Sequence, residues 1–218
     1  MNRSSLLLKK ITGIAVFSAL AYVTALAFRL PVSFLTFDAK DAVITIAALI
    51  YGPISAPIMS LIVAFLELIT ISDTGPYGFI MNFASSATFS FVASLIYKFK
   101  RSFTGSIIGL YSAVISVVSV MMLLNTFVTP FYMGVPRSVV VEMLPTVLLP
   151  FNLAKALLNA AIVMLLYKPI IISLRRARLI ERGTASTTFN RSSVIALIVA
   201  LLSLVVAITI FIILKTRG

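Results

Sequence analysis

The chain has 218 residues, of which 61% are hydrophobic and only 11% are charged. A soluble domain has about 45–50% apolar and about 25% charged residues, so this composition excludes a soluble fold and predicts a polytopic membrane protein. The formal charge of +12 does not indicate nucleic-acid binding, because the basic residues cluster at the ends of apolar segments, as in cytoplasmic membrane loops. The absence of cysteine and histidine removes disulfides, thiol chemistry, the commonest metal ligand and the usual neutral-pH base, so neither an enzyme nor a metal or cofactor site is expected.

The apolar segments, taken in chain order, predict membrane helices at about 11–29, 42–51, 55–71, 79–97, 105–124, 146–168 and 192–214. The first segment contains Ala25-Leu26-Ala27, which resembles a signal-peptide cleavage site, but its length favours an uncleaved first span. Ala15 and Ala19 are four residues apart, as are Ala21 and Ala25. Such spacing lets another helix approach closely, either within the chain or in a partner protein.

The region 42–71 has Gly52, Pro53 and Pro57 in its middle, so it is either one kinked helix or two helices. If the N-terminus is cytoplasmic, two helices place 12 of the 18 basic residues on the cytoplasmic side, whereas one helix moves the group 98–101 outside. We therefore predict two helices. The segment 42–51 is too short to cross a membrane alone, so its helix either begins earlier, within 37–42, or stays broken.

Charges at the start of this region have two interpretations. Asp38, Lys40 and Asp41 lie at or just below the predicted outer surface. Irregular backbone at this depth is tolerated only against protein or a water-filled cavity, which would make the first outer loop a lid or a wall of a site. Alternatively, these charges are simply hydrated at the membrane interface.

Polar residues inside the apolar segments are the strongest functional signal. They are Glu67, Asn82, Asn125, Asn152 and Lys155. An ionisable residue at a helix centre costs at least about 2.5–3.5 kcal/mol, so it normally faces a cavity or a partner. Lys155 either pairs with Glu67 to hold two helices together or donates to a polar ligand, and the asparagines either link helices or contact the same ligand.

The spacing within the sixth segment favours the ligand interpretation. Asn152, Lys155 and Asn159 share one helix face, and Pro150 precedes them. With nearby aromatic residues they predict an outward-facing pocket for a flat, partly apolar molecule with hydrogen-bonding edges. The aromatic residues are Phe37, Phe83, Phe127, Phe131, Tyr132 and Phe151. The predicted binding set is Asn125, Asn152, Lys155, Asn82, Asp38, Lys40 and Glu67.

No phosphate-binding loop, dinucleotide fingerprint or nucleophile–base set occurs in the sequence, so energy for uphill transport would come from elsewhere. A stand-alone ion-coupled carrier, with Glu67 as the proton site and Lys155 as its switch, is one alternative. A scaffold whose polar groups only join helices is another.

The last apolar segment has no charge between Arg191 and Lys215. A helix that is apolar on all sides suits a lipid-facing span, so we expect it to be an addition that takes no part in a site. The predicted organisation is a membrane core at 1–172, a cytoplasmic linker at 173–191 and an additional helix at 192–218.

Four stretches carry a resemblance to a known family. They are FLTFDAKDAVITIAALIYGPISA, GPYGFIMNF, LLNTFVTPFYMGVP and LLPFNLAKALLNAA. They resemble the substrate-binding S component of energy-coupling-factor (ECF) transporters, specifically the riboflavin-type branch. The resemblance implies an all-α six-helix core with cytoplasmic ends, in a prokaryotic plasma membrane, and a vitamin pocket on the outer side.

The resemblance also implies partners and site roles. A transmembrane coupling protein and two ATPase subunits would be the partners, contacting the first helix at Ala15 and Ala19. Asn125, Asn152 and Lys155 would hydrogen-bond the ligand, and the loop around Asp38 and Lys40 would close over it. The ligand would be riboflavin, with FMN or another flat vitamin as the alternative. The extra helix at 192–214 departs from the six-helix pattern.

Overall fold

A computed structural model describes residues 3–32, 34–100, 102–176 and 191–217, and these residues are almost entirely helical. The elements in chain order are α1 (Arg3–Ala27), β1 (Leu30–Val32), β2 (Leu35–Phe37), α2 (Lys40–Tyr51), α3 (Ser55–Thr70), α4 (Gly75–Phe99), α5 (Phe103–Met133), α6 (Arg137–Met143), a π-helical turn (Leu144–Leu148), α7 (Leu149–Arg176) and α8 (Arg191–Arg217). Within the described ranges, five helical segments are long and apolar enough to cross a membrane. The predicted all-α membrane fold is confirmed.

The region 42–71 forms two helices, as the charge pattern predicts. The break lies at Gly52, whose φ of 98° favours glycine. Helix α2 has 12 residues and α3 has 16, so α2 is only about 18 Å long against a hydrocarbon core of about 30 Å. The six-span count of the core therefore stays a prediction.

The segment before α2 is a β-hairpin, which the sequence did not predict. Strands β1 and β2 pair antiparallel, with Leu30 opposite Phe37 and Val32 opposite Leu35. The hairpin ends at Phe37, and α2 begins at Lys40, within the predicted range 37–42 and two residues before the apolar segment 42–51. A two-stranded hairpin is marginally stable alone. Here Val32 and Phe37 are buried in one apolar cluster with Ala154 of α7, which ties the hairpin to the helices.

Helix α4 packs against α2, α3 and α5. Its buried face carries Ser86, Ser90 and Ser94 at four-residue spacing, and the Ser90 hydroxyl lies 2.9 Å from that of Thr45 in α2. On the α5 side, a Cβ atom at Gly109 would lie 2.7 Å from the carbonyl oxygen of Ala93. Small residues thus allow α4 to contact its neighbours at backbone distance.

Helices α5 and α7 are longer than the apolar segments 105–124 and 146–168 that predicted them. Helix α5 continues to Met133, with Pro130 inside it, and stops at Gly134, whose φ is 66°. Helix α6 and the π-helical turn then lead directly into α7. Asn125 consequently lies well inside α5.

Helix α8 packs against the core along one face, while most of its apolar side chains, among them Leu202, Val205 and Ile212, are exposed, as a lipid-facing helix requires. Ala200, Ser203, Ala207 and Leu214 are buried, and α8 packs mainly against α7. The hydroxyl groups of Ser203 and Tyr111 of α5 also form a hydrogen bond. Helix α7 continues to Arg176, beyond the predicted boundary at 172, and most of the predicted linker 173–191 lies outside the described residues.

Candidate functional site

A cavity of about 160 Å³ lies between the hairpin and helices α3, α4, α5 and α7. Its wall contains every residue of the predicted binding set: Asp38, Lys40, Glu67, Asn82, Asn125, Asn152 and Lys155. An adjacent space of about 740 Å³ shares Arg29, Phe34 and Tyr132 with the cavity and continues along the hairpin. The cavity therefore has a wider vestibule at the hairpin end of the helices.

Four charged side chains form one wall of the cavity, and all four are buried. The ammonium group of Lys40 donates to both carboxylate oxygens of Glu67, at 2.6 and 2.7 Å. The ammonium group of Lys155 donates to Oδ2 of Asp38 at 2.7 Å. The alternative interpretation, in which Lys155 pairs with Glu67, is therefore wrong, because Glu67 pairs with Lys40 and Lys155 pairs with Asp38. The wall is neutral overall, so none of its four buried charges is left without an opposite partner, which would be strongly destabilising.

Asp38 lies in the loop between β2 and α2, at the point where the two ion pairs meet. Its Oδ2 is also 3.8 Å from the ammonium nitrogen of Lys40. Burial disfavours the charged carboxylate, but the positive charges of Lys155 and Lys40 outweigh burial and hold the pKa of Asp38 below its ordinary value. The Asp38 carboxylate is thus negatively charged at neutral pH and acts as the counter-ion of Lys155.

Three asparagine side chains face the cavity with hydrogen-bonding capacity left over. Asn125 donates to the Met121 carbonyl at 2.7 Å and accepts from Thr129 at 2.9 Å. Asn152 donates to the Leu148 carbonyl at 2.8 Å, but within the described part of the chain its Oδ1 accepts from no group. Asn82 forms no side-chain hydrogen bond with the described residues. Since an amide has two N–H donors and an oxygen acceptor, these groups can bind a polar ligand or water.

Asn159, the third residue of the predicted polar face of α7, does not line the cavity and instead contacts the start of α2. Its Oδ1 accepts from the backbone N–H of Ala42 at 2.8 Å, and its Nδ2 donates to the carbonyl of Asp38 at 3.1 Å. The first backbone N–H groups of a helix need external acceptors, and Ala39 at the N-cap of α2 has no side-chain acceptor. Asn159 therefore caps α2, and only Asn152 and Lys155 of the predicted face line the cavity.

Asp41 lies behind the charged wall. Its carboxylate accepts a hydrogen bond from Ser86 of α4. With Asn152 and Lys155 it lines a second, small space of about 10 Å³. That volume accommodates roughly one water molecule, which the surrounding polar groups could hold.

The aromatic prediction is only partly correct. Tyr132 and Phe151 line the cavity, whereas Phe127 and Phe131 are exposed on the protein surface. Phe37 is buried behind Phe151, with ring centroids 4.7 Å apart. Phe83 is not part of the cavity wall. The sequence does not show how each helix is rotated about its axis, and this rotation decides whether an aromatic side chain faces the lipid or the cavity.

Sequence reasoning missed an ion pair at the vestibule. The guanidinium group of Arg29 lies 2.6 Å from Oδ2 of Asp73 and donates to the carbonyl of Ile71 at 2.7 Å. This pair joins the end of α1 to the segment between α3 and α4. In the sequence, both residues follow predicted helices that end on the same side of the membrane. This shared location could have predicted that Arg29 and Asp73 lie close together.

The alanine pairs of α1 separate by burial. Ala21 and Ala25 are buried, and α1 packs against α2 and α3. Ala15 and Ala19 are exposed. Ala21 and Ala25 therefore form contacts within the chain, whereas Ala15 and Ala19 are accessible to another protein or to lipid.

The sequence between residues 9 and 171 matches the family model described as ECF transporter, substrate-specific component. The chain belongs to this family. It is 32% identical over 178 residues to the riboflavin transporter RibU of Staphylococcus aureus (strain TCH60), a match that covers 77% of this chain and 93% of the relative. A solved structure, described as the S component of a bacterial ECF transporter, superimposes with a TM-score of 0.66 at 31% identity, covering 77% of this chain and 98% of that one.

Membership in this family confirms the resemblance derived from the sequence motifs. It also establishes the chain as a transporter component and not an enzyme. Helix α8 lies beyond the matched residues. This helix is therefore an addition to the part of the chain that defines the family.

Proposed function

We propose that this ECF substrate-specific component captures riboflavin in the cavity beside Lys155 and passes it to an ATP-driven partner. The observation that carries the proposal is a buried cavity whose wall combines a neutral set of ion pairs with unused amide and ammonium hydrogen-bonding capacity. The similarity to a riboflavin transporter supports the choice of ligand.

The ligand contacts follow from the groups that remain available. An ammonium group has three N–H donors, and the Lys155 ammonium uses one of them for Asp38. Riboflavin has a flat ring system with carbonyl and N–H groups at one edge and a hydroxylated side chain. In the proposal, Lys155 and Asn152 bind one polar region of the ligand, Asn125 and Asn82 bind another, and Tyr132 and Phe151 contact the ring faces.

Lys40 and Glu67 have a supporting part in this proposal. Because the Lys40 ammonium occupies both carboxylate oxygens of Glu67, the pair fixes the wall beside Asp38 and presents a neutral surface to the ligand. The same engagement disfavours the stand-alone ion-coupled carrier, since that carrier would need an unpaired Glu67 carboxylate and both oxygens of Glu67 accept from Lys40.

The electrostatics favour riboflavin over FMN. A phosphate monoester carries about −1.5 to −2 charges at neutral pH. The two lysines of the cavity are already neutralised by Asp38 and Glu67, so the wall has no excess positive charge to offset a phosphate.

The proposal includes an orientation and partners. The N-terminus and the basic groups after α4 and in the last turns of α7 lie in the cytoplasm of a bacterial cell, and the vestibule faces outward, as the distribution of basic residues favours. A transmembrane coupling protein and two ATPase subunits supply the energy. Ala15 and Ala19 on the exposed face of α1 contact the coupling protein.

Titration of the purified protein in mild detergent tests the ligand assignment. We expect riboflavin fluorescence to be quenched on binding, with an affinity at least about tenfold higher than for FMN, because an uncompensated charge at a partly buried site costs more than about 1.4 kcal/mol. Failure to bind riboflavin contradicts the proposed function, and tighter binding of FMN contradicts the choice of ligand.

A further inference from the structure

Helix α8 packs behind the wall of the cavity, although it lies outside the residues that match the family. Its buried residues Ala200, Ser203 and Ala207 follow helical spacing, and small side chains on such a face permit close packing on α7. Leu214 near its end shares an apolar cluster with Phe151 at the start of α7. Helix α8 therefore runs antiparallel to α7, and its C-terminal part lies at the hairpin end of the molecule.

An aromatic contact connects α8 to the hairpin. The ring of Phe211 lies 5.1 Å from that of Phe37, at an interplanar angle of 90°. Phe37 makes a second edge-to-face contact with Phe151, at 4.7 Å and 71°. The last residue of β2 is thus held between α7 on one side and α8 on the other.

Phe37 is one peptide bond from the charged wall. Asp38, the next residue, is the counter-ion of Lys155 and lines the cavity together with Phe151. A displacement of Phe37 would therefore move the Asp38 carboxylate relative to Lys155. Since an isolated two-stranded hairpin is only marginally stable, the packing of Phe37 adds to the hydrogen bonds from Asn159 and Lys155 that hold Asp38 in this wall.

We propose that α8, through the contact of Phe211 with Phe37, positions the hairpin and the Asp38 wall and so slows the release of the bound ligand. This inference rests on the proposed riboflavin-binding function. Phe211 is a positioning residue, because it contacts Phe37 and does not line the cavity. An edge-to-face aromatic pair contributes about 0.5–1.5 kcal/mol, so its loss corresponds to roughly twofold to tenfold faster release.

Two measurements on the full chain test this role. The first is hydrogen–deuterium exchange of the hairpin backbone, residues 30–38, without ligand, and the second is the rate at which bound riboflavin dissociates. We expect Phe211→Ala to accelerate both, and Phe211→Tyr, which keeps the ring, to restore both to near the wild-type values. Ile212→Ala is the matched control, because Ile212 is the next residue of the same turn and is 54% exposed. We expect it to change neither measurement.

The outcomes separate the inference from the function on which it rests. If Phe211→Ala does not fold, Phe211→Leu, which keeps the apolar bulk without the ring, gives the deciding comparison and is expected to lie between the alanine variant and the wild type. Exchange and release equal to those of Ile212→Ala overturn the inference while leaving riboflavin binding intact. A wild-type protein that binds no riboflavin contradicts the proposed function, and the role in ligand retention with it.

Discussion

At the scale of single residues, the proposed ligand contacts depend on the pairing of Lys155 with Asp38. Lys155 and Asp38 are 117 positions apart in the chain and form a hydrogen bond of 2.7 Å. Removing one member of a buried pair leaves an uncompensated charge, which is more damaging than removing both. The effect of a lysine substitution on binding therefore has to be separated from its effect on Asp38.

A single and a double substitution separate these effects. We expect Lys155→Met to weaken riboflavin binding by about tenfold or more, since a hydrogen bond from a charged group contributes roughly 1.5–3 kcal/mol. In the double variant Asp38→Asn/Lys155→Met the unpaired charge is absent, so we expect thermal stability to recover but affinity to stay low. Fluorescence titration and thermal unfolding in detergent measure the two quantities. Recovery of wild-type affinity in the double variant would show that Lys155 acts only by neutralising Asp38.

The sequence predicts the depth of this lysine but not its partner. A cation inside an apolar helix has to face a cavity or an acid, and by this rule the sequence predicts a special environment for Lys155. The choice between Glu67 and Asp38 depends on how the hairpin places the start of α2 beside α7. That placement is set by tertiary packing, which no local pattern in the sequence encodes.

At the scale of secondary-structure elements, Asn152 and Asn159 show how one helix face can serve two purposes. Asn152 lines the cavity, whereas Asn159 caps α2 by accepting from the Ala42 N–H and donating to the Asp38 carbonyl. Both are buried asparagines on α7, so they form a matched pair for substitution by alanine.

We expect opposite effects from the two alanine substitutions. Asn159→Ala removes the donor to the Asp38 carbonyl and leaves the Ala42 N–H with only the Ala39 carbonyl, at 3.2 Å. It should therefore lower the free energy of unfolding by about 1–3 kcal/mol, measured as a fall in the thermal midpoint without ligand. Asn152→Ala should lower the stability of the ligand-free protein much less and weaken riboflavin binding more. If Asn152→Ala proves the more destabilising of the two without ligand, the assignment of Asn159 as the cap of α2 is wrong.

The elements themselves were unequally predictable. The break at Gly52 follows from glycine and proline together with the charge bias, and the long helices follow from apolar length. The hairpin was missed because its strands have three residues each, too few for an alternating pattern to appear. The buried face of α8 was missed because alanine and serine at helical spacing look the same whether they face lipid or another helix.

At the scale of the whole molecule, the exposed alanines of α1 provide the candidate contact with the energy-supplying partner. Ala15 and Ala19 are exposed, whereas Ala21 and Ala25 on the same helix are buried against the core. A surface of small residues suits close approach of a second membrane protein, and enlarging it should obstruct that approach.

Leucine substitutions test this surface. We expect Ala15→Leu with Ala19→Leu to reduce riboflavin uptake by cells about tenfold, since overpacking an interface costs typically about 1–3 kcal/mol. The affinity of the purified protein should remain within about twofold of the wild-type value, because the substitutions lie outside the cavity. Leu20→Phe, at a position of α1 that is 50% exposed and about 100° around the helix from Ala19, is the control and should leave uptake unchanged. Normal uptake by the variant with both leucine substitutions would place the partner contact elsewhere.

The most direct measurement of the central claim is the identity of the small molecule that accompanies the protein from cells supplied with riboflavin. We predict that wild-type protein purified in mild detergent is yellow, that mass spectrometry of the released ligand identifies riboflavin, and that Lys155→Met purified in parallel is colourless. A wild-type protein that carries no flavin and takes up none when it is added would contradict the assignment of the cavity as a riboflavin site.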